Sequence, residues 1–164
     1  MKFKNLVLTL GVLMMLAFTS IAAAAPSQVN RSMTAINAAK AEIPAVCELV
    51  GYNVDGDTSI ITFKDPNTLE RYVVDVNTAT AKVQEIEVKG ATFVMGSTMV
   101  TKTPDDIEKI VLKNYPNAYE IVITQGQDGN NIYYIADFLT DKFDGELKLD
   151  PVTGAICERE LEYF

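Results

Sequence analysis

The stretch LDPVTGAI at residues 149–156 has an earlier counterpart in VNTATAKV at residues 76–83. Each stretch places a short polar side chain after an apolar residue and a threonine three positions later, at Asp150 and Thr153 or at Asn77 and Thr80. Asp and Asn side chains accept hydrogen bonds from turn amides, and a Thr hydroxyl can cap the same turn. Both stretches therefore predict a strand, a tight turn and a second strand, with structural roles for these polar residues.

The position after the threonine distinguishes the two copies of this turn. Gly154 in the second copy has no Cβ and can adopt the positive φ that closes a tight turn. Ala81 takes its place in the first copy, where a positive φ would strain it. The first turn is therefore expected to have another shape.

The similarity between the copies extends upstream over both halves of the chain. IPAVCELV at residues 43–50 matches YPNAYEIV at residues 115–122 in its Pro, its Glu and its alternating apolar positions, at an offset of 72 residues. The match continues through a polar turn into a second apolar stretch in each half. An internal repeat of this kind indicates one structural unit written twice.

Each copy is predicted to contain one helix followed by four strands. The second helix has Thr103 as its N-cap, Pro104 at its first position and Asp106 completing a capping-box pattern. The first helix is predicted near residues 32–43, where the sequence is rich in alanine. Alternating apolar and polar residues predict strands near residues 46–54, 58–65, 70–77, 82–89, 118–125, 131–139, 143–150 and 155–163.

These elements predict an α+β protein of two tandem units, each with one helix packed on an antiparallel four-stranded meander sheet. The first unit covers residues 25–89 and the second residues 103–164, with an apolar connecting segment at residues 90–102. Because this segment is too apolar for a solvated linker, it is expected to pack between the units or to add an edge strand. Strand parity predicts these inward-facing side chains: Cys47, Leu49, Ile61, Phe63, Tyr72, Val74, Val76, Tyr119, Ile121, Ile123, Leu147 and Leu149.

The N-terminus has the pattern of a cleavable signal peptide over residues 1–24. Lys2 and Lys4 precede an apolar run at residues 6–18, and small residues follow it, with cleavage expected between Ala24 and Ala25. The run is shorter than the roughly 20 residues that span a bilayer, although an uncleaved anchor is the alternative. The sequence predicts a secreted or periplasmic protein with no stable membrane insertion after signal cleavage.

The composition removes several classes of function. Without Lys2 and Lys4, the 14 basic residues become 12 against 22 acidic residues, a net charge near −10. Such a chain is repelled by nucleic-acid phosphates, so no nucleic-acid partner is expected. The sequence contains no His, which removes Ser–His and Cys–His catalytic pairs and the commonest zinc ligand. No catalytic residue, metal site or cofactor is predicted, and the protein is expected not to be an enzyme.

The turn at residues 149–156, together with the proline-terminated helix and alternating strands before it, resembles the closing signature of the PepSY family. The conserved pattern of that signature falls on Asp150, Thr153 and Gly154, and Asn77 and Thr80 carry a degenerate first copy. The resemblance covers residues 32–164. PepSY units occur in propeptides of secreted metallopeptidases, where they inhibit or chaperone the enzyme, and also in free-standing exported proteins and membrane-bound regulators.

Two cysteines and an acidic strand are further candidate features. Cys47 and Cys157 are the two cysteines of the sequence, and in an exported protein they form a disulfide, remain buried thiols or have a redox role. Glu158, Glu160 and Glu162 share one face of the last predicted strand. This acidic ridge is either a solvated strand face or a docking surface for a basic partner.

Three shorter patterns have a structural interpretation beside a functional one. Residues 53–57 imitate part of a calcium loop but lack the spacing of an EF-hand, and they are interpreted as a plain turn. Asp141, Asp144 and Glu146 could form a weak cation site. The adjacent aromatic residues Tyr133 and Tyr134 are interpreted as side chains that pack in the sheet, in preference to a platform for a ligand.

Two hypotheses about function follow. The first is a non-enzymatic exported PepSY-repeat protein that binds a secreted or envelope peptidase and inhibits or regulates it. The alternative is a structural or ligand- or cation-binding envelope module with no peptidase partner. Neither hypothesis depends on a particular oligomeric state.

Overall fold

Two helices and eight strands form the regular structure of residues 28–90 and 96–164, the parts of the chain that this computed structural model describes. In chain order they are α1 Gln28–Ala41, β1 Glu48–Asp55, β2 Thr58–Lys64, β3 Arg71–Asn77, β4 Val83–Lys89, α2 Pro104–Asn114, β5 Tyr119–Asp128, β6 Asn131–Leu139, β7 Phe143–Leu149 and β8 Ile156–Tyr163. The predicted signal peptide and its cleavage site lie outside the described residues, as do residues 91–95 of the connecting segment.

All eight strands belong to one antiparallel sheet, in the order β1-β2-β3-β4-β8-β7-β6-β5. The last strands of the two halves, β4 and β8, pair with each other, with Ile86 opposite Leu161. The predicted fold class is therefore wrong, because the protein is mostly β, with one continuous sheet and two helices, and does not consist of two units with separate four-stranded sheets. The reason is that each half would leave its last strand as an unpaired edge, and pairing these two edges satisfies the backbone groups of both.

The helices begin and end where local chemistry favours it. Thr103 accepts a hydrogen bond from the amide of Asp106 at 3.3 Å, and the Asp106 carboxylate accepts one from the amide of Thr103 at 3.0 Å, which completes the predicted capping box. Ile107 and Val111 form the buried face of α2. Helix α1 begins at Gln28, earlier than predicted. Its fully buried Ala35 and Ala39 allow its backbone to approach the sheet closely.

The core lies between the helices and one face of the sheet. Helix α1 packs on β2 and β3, and α2 packs on β5 and β6. Most predicted inward side chains are buried there, but Leu49 and Tyr119 are exposed. Leu49 has the predicted parity, because it lies opposite the buried Phe63, but the edge strand β1 leaves it exposed. The predicted parity of Tyr119 is wrong, because a bulge after Tyr119, with Glu120 at a φ of 51°, shifts the register of β5 and places Tyr119 on the sheet face opposite the helices.

The described part of the connecting segment lies against the second half of the chain. Ser97 exchanges two backbone hydrogen bonds with Ile132 of β6, each 2.9 Å long. The amides of Thr101 and Lys102 both donate to the carbonyl of Pro151, and the Tyr134 hydroxyl donates to the carbonyl of Lys102 at 2.8 Å. Within residues 28–90 and 96–164, neither helix has the length and apolar character needed to cross a membrane.

Candidate functional site

The turn between β7 and β8 closes around one carboxylate oxygen of Asp150. This Oδ1 accepts hydrogen bonds from the amides of Val152 and Thr153, at 3.0 and 2.7 Å, and from the Thr153 hydroxyl at 2.8 Å. Gly154 follows with a φ of 76°. The predicted turn residues thus meet each other, and their interactions hold the backbone of the turn.

The equivalent turn between β3 and β4 has the same arrangement. The Asn77 Oδ1 accepts from the amides of Ala79 and Thr80 and from the Thr80 hydroxyl, at 3.1, 3.0 and 3.0 Å. Ala81 adopts a φ of 56°, so the expectation of a different shape is wrong. The ladders of β3 and β4 and the Asn77 bonds hold Ala81 in the left-handed region despite its Cβ.

A third turn of this type, between β2 and β3, was not predicted from the sequence. The Asp65 Oδ1 accepts from the amides of Asn67 and Thr68 at 2.7 and 3.2 Å, and Leu69 has a φ of 63°. Its signal is present in the sequence, because DPNT at residues 65–68 matches DPVT at residues 150–153. Since the motif recurs within one half, it supports a turn and does not mark a binding site.

The two cysteines are not joined by a disulfide bond. Cys47 is buried just before β1, and Cys157 lies in β8, with three strands between β1 and β8 in the sheet. Burial, followed by repulsion from nearby carboxylates, raises the pKa of the Cys47 thiol, and burial is also the main cause that raises the pKa of Cys157. A raised pKa disfavours the thiolate that redox chemistry requires.

The sheet face opposite the helices carries a group of carboxylates. On the central strands, the acidic residues alternate with buried side chains such as Ile86 and Leu161, which point toward the helices. Among the described residues, both helices lie on the other side of the sheet. We define the acidic face as eight carboxylates on five strands: Asp75, Glu85, Glu87, Asp137, Asp144, Glu146, Glu160 and Glu162.

The strand register aligns these carboxylates in two rows across the sheet. In the first row, Asp75 lies opposite Glu85, Glu85 opposite Glu162, and Glu162 opposite Asp144. In the second row, Glu87 lies opposite Glu160, Glu160 opposite Glu146, and Glu146 opposite Asp137. Side chains directly opposite each other on neighbouring strands are close, and like charges there are destabilising.

A third row, at one border of the acidic face, is electrically mixed. Glu158 lies between Lys89 and Lys148 in the register, with Lys Nζ to carboxylate distances of 3.6 and 3.2 Å. The predicted ridge is therefore divided, because Glu158 is neutralised by lysines whereas Glu160 and Glu162 belong to the acidic rows. Strand β8 is also an inner strand, so these charges do not protect a sheet edge.

Burial and crowding alter the ionisation of the acidic face. Burial first, and repulsion from neighbouring carboxylates second, raise the pKa of four of its members: Asp75, Glu85, Asp137 and Glu160. A shallow groove of about 170 Å³ runs along the face and is lined by Asp137, Asp144, Gly145, Glu146, Glu160 and Glu162. The arrangement favours positively charged groups that replace the lost hydration and neutralise the repulsion.

The candidate cation site is not assembled. Asp144 and Glu146 belong to the acidic face, but Asp141 lies in the turn between β6 and β7 and lines a different cavity. Across the described ranges, no group of three or more His, Cys, Asp or Glu side chains is placed to hold a metal ion. Residues 53–57 form the end of the β1–β2 hairpin, and the buried Tyr134 packs in the sheet.

No family model matches the sequence, and no curated protein matches it either. Among solved structures, a candidate lipoprotein from Clostridium difficile 630 is 18% identical over 78% of this chain and 90% of its own, with a TM-score of 0.32. A BLIP-like protein from Bacteroides fragilis NCTC 9343 is 11% identical over 79% of this chain and 85% of its own, with a TM-score of 0.34. Scores and identities this low carry no inference about the function of this chain.

Proposed function

We propose that this protein is an exported, non-enzymatic binding protein that holds a basic partner against its acidic face. The partner is proposed to be a secreted or envelope peptidase, which the protein inhibits or regulates, in keeping with its resemblance to PepSY units. The observation that supports the proposal is the sheet face that neither helix of the described residues covers, with its two rows of directly opposed carboxylates.

The charge pattern of this face is costly for the isolated protein. Opposed like charges lower stability, and they accumulate here on the central strands, where apolar or mixed pairs would stabilise the sheet. Lys89 and Lys148 neutralise Glu158 in the third row and also reach Glu87 and Glu146, at 2.7 and 3.5 Å. The other six carboxylates of the acidic face form no ion pair among the described residues. Residues that break a local rule of stability without a compensating contact are expected at functional sites.

The size of the face suits a protein partner. At the usual spacing of about 4.8 Å, five strands are roughly 20 Å across and the whole sheet is roughly 34 Å across. A standard interface takes about 800 Å² from each partner, which an open sheet of this width can supply. Complementary charge also accelerates association and makes it sensitive to salt.

The experiment uses purified mature protein, residues 25–164, and a panel of purified secreted metallopeptidases, with binding and inhibition measured at low and high salt. Glu160→Lys is the test variant, and Glu108→Lys, an exposed residue of α2, is the control with the same change of charge. We expect at least tenfold weaker binding for Glu160→Lys and less than a twofold change for Glu108→Lys. Absence of binding to the whole panel, or equal effects of the two variants, would contradict the proposal.

A second candidate function is supported by the groove itself. The groove has a volume of about 170 Å³ and is lined by five carboxylates. Its size and its negative charge both suit a small organic cation that carries several amines. In that case the protein is a ligand-binding envelope module without a peptidase partner. Spermidine would then raise the Tm of the mature protein, Glu160→Gln would remove the shift, and no peptidase of the panel would bind.

A further inference from the structure

The sheet has two edges, formed by β1 and β5. Within the described residues, β1 pairs with β2 alone and β5 pairs with β6 alone. The outer side of an edge strand presents backbone N–H and C=O groups that an additional strand can bind. In strand-addition complexes these backbone groups supply affinity, and alternate side chains supply specificity.

Strand β1 is an apolar edge. Between Glu48 and Asp55 it contains no charged residue and no proline. Four of its side chains, which we call the β1 shelf, are exposed to 43, 58, 38 and 41% of their surface: Leu49, Val50, Tyr52 and Val54. Leu49, Tyr52 and Val54 lie opposite buried residues of β2, so they are on the helix side of the sheet.

The β1 shelf is exposed because α1 packs on β2 and β3. A cavity of about 270 Å³ remains between the start of α1 and the β1–β2 hairpin, and Arg31, Tyr52 and Val54 are part of its lining. Strand β1 therefore offers both free backbone groups and an adjacent space for side chains.

The other edge differs at the equivalent positions. At the offset of 72 residues, Tyr52 and Val54 correspond to Thr124 and Gly126 of β5. Helix α2 packs on β5, and Ile121 and Ile123 join the core there. The two halves share a sequence pattern, but the exposed apolar side chains of Tyr52 and Val54 have no apolar counterpart at the equivalent positions of β5.

The charges around β1 define what can bind. A bulge between Leu49 and Gly51 removes Val50 from the ladder, which leaves Gly51–Asp55 in regular register, a usual strand length. Acidic residues lie at both ends of the strand, Glu48 and Asp55. A second copy paired antiparallel about the centre of β1 would set these acids opposite each other, which is unfavourable.

We infer that β1 receives an extended segment of a different protein, apolar in its middle and carrying Lys or Arg at its ends, as a ninth strand of the sheet. The apolar side chains of the segment contact the β1 shelf, and its basic ends lie near Glu48 and Asp55. This surface is separate from the acidic face, and the inference does not require the proposed function to be correct.

The test uses a synthetic seven-residue peptide with alternating Val and Thr between terminal lysines. Amide hydrogen exchange of the full mature protein should slow at least tenfold at Gly51–Asp55 when the peptide is bound. Two other peptides serve as controls, one with terminal glutamates and one with a central proline, and both should bind at least tenfold more weakly.

Variants locate the site. Val54→Lys should weaken peptide binding at least tenfold, and Tyr52→Lys serves as a second test if the first variant misfolds by circular dichroism. Val122→Lys, at an exposed position of β5, and Glu160→Lys, on the acidic face, should bind the peptide normally. The inference is overturned if the peptide protects β5 in place of β1, or if the glutamate peptide binds equally well. It is also overturned if the protein self-associates and Val54→Lys abolishes the self-association, because β1 would then bind a second copy.

Discussion

Three turns of this protein close around a single side-chain oxygen, supplied by Asp65, Asn77 or Asp150. In each turn the oxygen replaces water as the acceptor for successive amides, and the residue after the threonine has a positive φ. Burial by itself would raise the pKa of Asp150, but the hydrogen bonds from Thr153 and Val152 together lower it. The ionised form therefore holds the turn at neutral pH.

The acceptor at residue 150 can be tested by substitution. Asp150→Ala removes the acceptor of two amides and one hydroxyl, and we expect a loss of about 1–3 kcal/mol in the free energy of unfolding. Asp150→Asn keeps the oxygen, as Asn77 does in the first half, and should cost much less. Urea unfolding measures both variants, and equal losses for Ala and Asn would refute this role.

The left-handed residue after the threonine is a second test at this scale. Ala81→Gly removes the Cβ strain of about 1–2 kcal/mol and adds a smaller entropic cost, so a net stabilisation of a few tenths to about 1 kcal/mol is expected. Gly154→Ala should be destabilising, because a Cβ there would also lie 2.5 Å from Ile110 Cδ1. Thermal unfolding compares the pair, and a stabilising Gly154→Ala would contradict the argument.

At the scale of the element, β8 carries two glutamates, Glu158 and Glu160, that are two residues apart and have opposite electrostatic surroundings. Glu158 is paired with two lysines, whereas Glu160 lies between Glu87 and Glu146. The sequence shows three equivalent glutamates on one strand face, and only the neighbours of β8 distinguish them.

The two glutamates should respond oppositely to neutralisation. Glu160→Gln relieves repulsion and should stabilise the protein by about 0.2–1 kcal/mol at low salt. Glu158→Gln removes the partner of Lys89 and Lys148 and should destabilise it by about 0.5–1 kcal/mol. Chemical denaturation at low and high salt measures both effects, and effects of the same sign would show that the register does not control them.

For the whole molecule, the acidic face predicts an unusual dependence of stability on pH. A carboxyl whose folded pKa is raised binds its proton more tightly in the folded state, so protonation stabilises the fold. Asp75, Glu85, Asp137 and Glu160 are of this kind. Their repulsion is present at neutral pH and is relieved as the pH falls toward the ordinary carboxyl range near pH 4.

The free energy of unfolding should consequently be larger at pH 5 than at pH 7.5. Below the usual Asp pKa of 3.8 the trend reverses, because Asp106 and Asp150 have lowered pKa values and their contribution is lost as they become protonated. Urea unfolding across this range is the measurement, and Glu85→Gln with Glu160→Gln should flatten the rise. A steady fall in stability from pH 7.5 to pH 5 would contradict the prediction.

The pairing of β4 with β8 predicts that the two halves unfold together. Ile86→Ala at this seam removes a buried side chain and should cost about 2–5 kcal/mol. Hydrogen exchange should accelerate in β1–β4 and in β5–β8 alike, whereas Val50→Ala, at an exposed position, should change little. Acceleration confined to the first half would show that the halves are independent units.

The amino-acid sequence by itself determined the local elements of this protein. Alternating residues located all eight strands, Thr103 and Asp106 located the start of α2, and an Asp or Asn three residues before a Thr located two of the three turns. These features depend on contacts between residues close in the chain, such as a side chain and an amide two or three positions away. The third turn, at Asp65, depends on the same short-range contacts and could have been predicted from its sequence motif.

Only the tertiary structure decided which strands are neighbours. Strands β4 and β8 pair although they are far apart in the chain, and neither strand has a local sequence pattern that indicates its partner. That pairing places Glu85 and Glu87 beside Glu162 and Glu160 and creates the acidic rows. It also leaves β1 as an edge, which exposes Leu49 although its alternation matches that of a buried strand. Tyr119 is exposed for another reason, because the bulge at Glu120 turns it to the opposite face of β5. Strand parity gives the face of a side chain, whereas its burial and its charged neighbours depend on long-range pairing.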